Sequence, residues 1–266
     1  MTTAFHKMHG LGNDFVILDA RQRAVEPSEA QVRALCDRRR GIGCDQLIRL
    51  SPSQTADVRM DIWNADGSSA EACGNAARCV AALTHAQSIE TVGGYLEAVA
   101  IDNEISVQLP PPRFDWEAIP IADAMDTHPL PLGWGPLERP DAVNVGNPHL
   151  VFFVDDLDAI PLAELGPGIE SDPAFPRKIN VNVAQVHDGH LDLRTFERGA
   201  GLTQACGTGA CASAVAAIRG RHLISPVEVR MPGGTLHISW APGEPILMRG
   251  AATYVFGGEV DLEALA

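Results

Sequence analysis

The chain has 266 residues, 45% of them apolar and 20% charged, with 34 Asp and Glu against 20 Lys and Arg for a formal net charge of -14. This is globular composition with enough apolar mass for a buried core, and the acidic balance argues against a phosphate-tracking nucleic-acid surface. No run of 18 apolar residues occurs and Met1 to Phe15 has no apolar signal core, so a cytoplasmic protein with no membrane partner is expected.

In chain order, Phe15–Asp19 reads as a strand, and Glu29–Arg39 as an amphipathic helix behind Pro27 and the capping candidate Ser28. The basic run Arg38–Arg39–Arg40 reads as a solvated helix end. A strand at Ala56–Trp63 precedes an Ala-rich helix at about Asn75–Gln87, then strands at Tyr95–Ile101 and Glu104–Leu109. From Leu109 to Pro140 the chain is rich in proline, which removes ladder donors and marks a join between halves. Strands follow at Leu150–Val154, Asn180–His187 and Leu191–Glu197, then a second Ala-rich helix at Thr208–Arg219. Val227–Met231, Thr235–Trp240 and Ile246–Ala252 complete the strands. Helices with so few large side chains suit a tight interior that sheet surrounds closely. The class is α+β, with one central helix per half.

The two halves repeat one another. Aligning Cys73 with Cys206 brings Trp63 to Phe196, Asn64 to Glu197, Ala72 to Ala205, Gly74 to Gly207 and Ala77 to Ala210. GNDFVILD at 12–19 then faces GNPHLVFFVDD at 146–156, and the segment from Gly93 faces that from Gly233. Three landmarks recur in one order.

Six cysteines stand at 36, 44, 73, 79, 206 and 211, with no CxxC pair. In a reducing compartment an even count does not imply disulfides, and without a CxxC pair neither a zinc ribbon nor a thioredoxin-type site is expected. Cys73 and Cys206 each lie at a sheet-to-helix turn, before Gly and then Asn or Thr. Free N–H groups at a helix start bind anions, and the helix dipole favours thiolate over a thiol that ordinarily ionises near about 8.5. Two similar halves packed about a pseudo-twofold axis would bring the turns face to face. A thiolate and a thiol on opposite sides of one carbon can invert it without turning the substrate over, and amides holding a carboxylate would stabilise the charge that develops. The other four cysteines read as buried small apolar groups.

These residues resemble the diaminopimelate epimerase family over essentially the whole chain. The motifs are HGLGNDFVILD at 9–19, GIGCDQL at 41–47, NADGSSAEACGNAARC at 64–79, GNPH at 146–149, NVN at 180–182 and FERGAGLTQACGTGA at 196–210. The resemblance implies interconversion of LL- and meso-2,6-diaminopimelate on the lysine and peptidoglycan precursor pathway, with no cofactor, pyridoxal phosphate or metal. Cys73 and Cys206 would be the proton-transfer pair, and Gly74, Asn75, Gly207 and Thr208 would hold the reacting carboxylate. Asn13, Gln46, Asn64, Asn147, Asn180, Glu197 and Arg198 match the remaining substrate positions, with His149 and Glu197 tuning the thiols. The implied fold is two pseudo-symmetric domains, each a barrel-like, mostly antiparallel sheet around a central helix. The domains would be 1–115, with 253–266 returning to it, and 116–252. A homodimer is expected, with no nucleic-acid partner. Ala76, Leu202 and Cys44 stand where Gly, Glu and Ala are common in the family, and Cys44 lies two residues from Gln46.

Three other readings are open. A proline or hydroxyproline racemase would use the same cysteine pair but leave Arg198 and Asn64 without ligand groups. A thiol hydrolase with a His partner would leave one cysteine turn unexplained. A non-catalytic amino-acid-binding protein would tolerate Ser at both turns.

Overall fold

The computed structural model describes residues 2–70 and 73–265, so Ala72, which the repeat aligns with Ala205, lies outside the described residues. The first half of the chain runs β1 (Thr2–Gly10), β2 (Asn13–Asp19), α1 (Glu29–Cys36), β3 (Gln46–Ser51), β4 (Val58–Asn64), β5 (Ser69–Ala70), α2 (Gly74–Thr84), β6 (Ser88–Thr91), β7 (Gly94–Ile101) and β8 (Glu104–Leu109). It continues with β9 (Gly133–Trp134), β10 (Leu137–Glu138), β11 (Asp141–Asn144), β12 (Pro148–Val154), α3 (Leu162–Glu170), β13 (Asn180–Val186), β14 (His190–Glu197) and β15 (Gly201–Thr203). Then come α4 (Gly207–Arg219), β16 (Val227–Met231), β17 (Gly234–Ser239), β18 (Ile246–Gly250) and β19 (Thr253–Asp261). Two compact units result, Met1–Val107 with Gly250–Ala266, and Gln108–Arg249.

In the first unit β1 pairs antiparallel with both β19 and β2. The sheet continues through a parallel β2–β3 step, antiparallel β3–β4, parallel β4–β6 and antiparallel β6–β7. The β2 run FVIL is apolar at every position because both faces are covered. Phe15 and Ile17 pack in the cluster around α2, whereas Val16 and Leu18 pack with Val32 and Leu35 of α1. Small side chains let α2 lie this deep: Ala76, Ala77, Cys79 and Val80 are fully buried in it.

The second unit repeats that order. Antiparallel β11–β12, parallel β12–β13, antiparallel β13–β14, parallel β14–β16 and antiparallel β16–β17 follow in sequence. Helix α4 follows β14–β15 as α2 follows β4–β5, and it touches β11, β12, β13, β14, β16 and β17. A sheet thus wraps one Ala-rich helix, which is the α+β architecture expected.

Several elements differ from the sequence reading. Helix α1 starts with a capping box, Ser28 taking the Gln31 N–H and Gln31 the Ser28 N–H. It stops at Cys36, short of Arg39, because the Asp37 carboxylate takes the Arg39 and Arg40 N–H groups and turns the chain. A Cβ at Gly41 would lie 2.0 Å from the Ala34 carbonyl oxygen, so this turn accepts no side chain. Helix α2 ends at Thr84 rather than Gln87, with His85 left-handed at φ 59°. Helix α3 was not expected, since its sequence holds Pro167 and two glycines. Packing explains one of them: a Cβ at Gly166 would lie 2.4 Å from the Phe196 ring. No helix among the described residues is long and apolar enough to cross a membrane.

Candidate active site

Each cysteine turn is built by the same local physics. Cys73 is the N-cap of α2 and Cys206 the N-cap of α4, both with extended backbone. An α-helix leaves its first-turn N–H groups without intrahelical acceptors. Here those groups belong to Gly74 and Asn75 in one unit, and to Gly207 and Thr208 in the other.

In the first unit the Asn13 carboxamide organises the turn. Its Oδ1 accepts from Asn75 Nδ2 at 3.2 Å and lies 3.9 Å from Cys73 Sγ. Its Nδ2 donates to Asp45 at 3.1 Å, and Asp45 in turn accepts from Arg38. Arg78, fully buried on α2, donates to Asn75 Oδ1 at 2.8 Å and holds that carboxamide from below. Gln46 and Asn64 are cross-strand partners, and Gln46 Nε2 donates to Asn64 Oδ1 at 3.0 Å. Gln46 Oε1 is buried with no hydrogen-bond partner among the described residues, which leaves an acceptor available. Cys44 is turned away from these groups. It is buried with its Sγ 3.4 Å from Cys36 Sγ, between α1 and the start of β3.

In the second unit Cys206 Sγ accepts the Gly209 N–H at 3.3 Å and lies 3.6 Å from Thr208 Oγ1. Asn147 Nδ2 donates to Thr208 Oγ1 at 3.3 Å, and Asn147 Oδ1 faces His149 Nε2 at 2.8 Å. Asn180 holds the end of β14 in place: its Nδ2 donates to the Pro148 carbonyl and its Oδ1 accepts the Arg198 N–H. Glu197 accepts the Thr203 hydroxyl at 2.6 Å. The Arg198 guanidinium donates to the Arg177 carbonyl. The structure thus groups Asn13, Cys73, Gly74 and Asn75, with the neighbouring Gln46–Asn64 pair, in one unit. It groups Asn147, His149, Asn180, Glu197, Arg198, Cys206, Gly207 and Thr208 in the other.

The protonation pattern departs from the helix-dipole expectation. Burial pushes the Cys206 thiol well above its ordinary range, and the neighbouring Glu197 carboxylate adds to the effect. Desolvation of a thiolate that is 4% exposed outweighs the hydrogen bonds from Thr208 and Gly209. Cys206 is therefore a thiol at neutral pH. Burial, helped by Arg198, pushes the fully buried His149 down to about 3, so its ring is neutral.

Sequence reasoning gave no role to Asn182, Thr195 or Arg78, although Asn182 and Arg78 lie within quoted motifs. Asn182 and Thr195 face each other across β13 and β14 inside an apolar core, and polar residues on a buried strand face were the available signal. His187, His190 and Asp192 also bring three ligand atoms within 4.8 Å. The two rings stack 4.6 Å apart at 10°, so one ion cannot lie in both ring planes, and Arg230 takes His190 Nε2 at 3.1 Å.

Residues 5–110 and 141–255 match the family model described as diaminopimelate epimerase. A diaminopimelate epimerase of Rhizorhabdus wittichii is 60% identical, covering 99% of this chain and 97% of the relative. Another from Sphingopyxis alaskensis is 59% identical, covering 98% of each. Among solved structures, a PhzF-family phenazine biosynthesis protein of Bacillus anthracis superposes with a TM-score of 0.69 at 18% identity, covering 98% of this chain and 99% of that one. A hydroxyproline epimerase of Agrobacterium vitis gives 0.66 at 16%, covering 97% and 92%. At those identities the likeness is one of fold.

Proposed function

The chain belongs to the diaminopimelate epimerase family, and from that membership we propose that it is an isomerase interconverting LL- and meso-2,6-diaminopimelate with Cys73 and Cys206 as the acid/base pair. The observation that carries the reading is the recurrence of a cysteine N-cap, followed by glycine and free amides, in both units. One sulfur, as thiolate, removes the α-proton. The other, as thiol, delivers its proton to the opposite face of the same carbon. The carbon is inverted and the two sulfurs exchange protonation states, so no external acid or base is consumed. The raised Cys206 pKa supports its starting as the acid.

In this reading the first-turn amides of α2 and α4 hold the reacting carboxylate and take up the charge that spreads onto it as the proton leaves. Arg198 pairs with the distal carboxylate, and Glu197 with asparagine and glutamine oxygens takes the distal ammonium. Gln46 Oε1, buried and without a partner among the described residues, suits an ammonium donor. A proline-type substrate lacks both distal groups. We assign the protein to the cytoplasm, a reading supported by six cysteines that form no disulfide among the described residues.

A homodimer is part of the proposal. Strand β19 pairs with β1 along one edge and exposes Tyr254, Val255 and Phe256, each about half accessible, an edge of the kind that a second copy covers. Sedimentation equilibrium should give twice the chain mass, and a monomer at micromolar concentration would refute it.

The decisive experiment is exchange in heavy water. LL-diaminopimelate should gain one deuteron at one α-carbon, and proline none. Cys73→Ser and Cys206→Ser should each slow this by at least about a thousandfold with the fold retained. Full activity in either variant would remove the two-thiol mechanism.

A further inference from the structure

We infer that Asn182 is a positioning residue that locks His149 as its neutral Nε2–H tautomer, so that His149 orients the Thr208 hydroxyl beside Cys206 instead of exchanging a proton with a thiol. The inference deepens the epimerase reading and rests on it for its catalytic consequence.

The argument starts from a backbone carbonyl. Asn182 lies on β13 and is fully buried, and its Nδ2 is 2.8 Å from the Leu150 carbonyl oxygen of β12. A carbonyl can only accept, so the carboxamide nitrogen, not its oxygen, must face β12. Thr195, opposite on β14, secures the same orientation by donating its hydroxyl to Asn182 Oδ1 at 3.0 Å. The second Nδ2 hydrogen then points at His149 Nδ1, 3.1 Å away. Facing a donor, Nδ1 must accept and so carries no proton. The ring proton therefore sits on Nε2, which donates to Asn147 Oδ1 at 2.8 Å.

That assignment fixes the rest of the chain. With its oxygen toward His149, Asn147 presents Nδ2 to Thr208 Oγ1 at 3.3 Å. The Thr208 hydroxyl, now an acceptor from Asn147, has its own hydrogen available for Cys206 Sγ at 3.6 Å. A polarity set at Leu150 thus reaches the sulfur through Asn182, His149, Asn147 and Thr208. A thiolate formed at Cys206 would receive hydrogen bonds from the Thr208 hydroxyl and from the Gly209 N–H.

The same geometry bars His149 from acid/base work. A proton on Nδ1 would confront the Asn182 amide hydrogens, and the Nε2 position is already filled. The charged group acting on the ring is Arg198, from the end of β14, and it opposes protonation. Val143 on β11 and Asn180 and Asn182 on β13 lie alongside without charge. On the α4 side the titratable group is the Cys206 thiol, reached through Asn147 and Thr208. The low pKa of the ring agrees with this arrangement.

The test is long-range proton–nitrogen NMR on full-length enzyme labelled with 15N-histidine, the His149 signal being identified by its loss in His149→Gln. The wild type should show an Nε2–H imidazole whose shifts stay constant from pH 5 to 9. Asn182→Asp, of the same shape, replaces the donor with an anionic acceptor. It should put a proton on Nδ1, bring the ring's titration into that window, and add a limb to the pH profile of α-deuteron exchange. Its kcat should fall about tenfold, with KM changed less than about threefold. If that variant fails to fold, Thr195→Val removes the hydroxyl anchor alone and should broaden or shift the same nitrogen signals. A wild-type His149 that titrates between pH 5 and 9 or carries its proton on Nδ1 would overturn the inference. So would a folded Asn182→Asp enzyme with unchanged nitrogen shifts and pH profile. The NMR result is independent of turnover: wild-type enzyme that exchanges no deuteron would sink the epimerase reading and leave the tautomer assignment standing.

Discussion

Replacing Gly209 by alanine tests how rigid the second cysteine turn is. Gly209 lies in the first turn of α4, and a Cβ there would sit 2.5 Å from Asn182 Oδ1, 2.9 Å from Thr195 Oγ1 and 3.2 Å from Cys206 Cβ. Close carbon–oxygen contacts ordinarily begin near about 3.3 Å. The Asn182 carboxamide must therefore retreat by most of an ångström. That movement strains its bonds to Thr195 at 3.0 Å and His149 at 3.1 Å. Glycine to alanine inside a helix stabilises by about 0.5–1 kcal/mol. Overpacking a filled core costs about 1–3 kcal/mol, and a buried amide short of a partner about 1–3 kcal/mol more. The balance is a loss of about 1–5 kcal/mol. At about 2–4 °C per kcal/mol for a protein of this size, Tm should drop by roughly 6–12 °C for the middle of that range. Scanning calorimetry of the two proteins in one buffer measures it. A Gly209→Ala protein melting at or above the parent would show that propensity wins and that the Asn182 cluster yields freely.

Arg78→Leu should lose about 3–5 kcal/mol, because it strips donors from Asn75 Oδ1 and the Ala251 carbonyl in a fully buried site. Urea midpoints check it, and an unchanged midpoint would contradict the assigned role. Acid stability should carry the signature of His149, whose folded pKa is about 3 against about 6.5 unfolded. Between those values the unfolded chain takes up a proton that the folded chain refuses. The contribution is therefore full above pH 6.5 and lost as pH falls toward 3. Across that window the wild type should lose a few kcal/mol more than His149→Gln, and equal slopes would refute this. Brief iodoacetamide treatment at pH 8 should modify Cys73 before Cys206, since the former is partly exposed and the latter a buried thiol held protonated. Peptide masses showing Cys206 alkylated first would reverse that order.

The repeated cysteine turns and the two alanine-rich helices could be read from the sequence because they rest on local sterics. A glycine after the N-cap and a helix small enough to be enclosed leave marks within a dozen residues. What could not be read depends on register between distant strands. Nothing local shows that Asn182 meets both Thr195 and His149, or that Cys44 packs against Cys36. Strand β1 was missed because Lys7, buried against Asp14 and the Gly43 carbonyl, interrupts its apolar pattern. The direction of the Cys206 shift was also hidden. A sequence displays the helix start that lowers a thiol pKa, but not the burial that raises it.

The pairing of β1 with β19, from Thr2 opposite Asp261 to His9 opposite Thr253, sets an order of assembly during synthesis. Strand β1 waits for β19 to close its edge, while all of Gln108–Arg249 is made in between. The later-made unit can finish folding first, and the earlier-made one is completed only once β19 has been made. A deletion that removes Thr253–Asp261 therefore strikes the amino-terminal unit, although those residues follow the whole of the other unit in sequence.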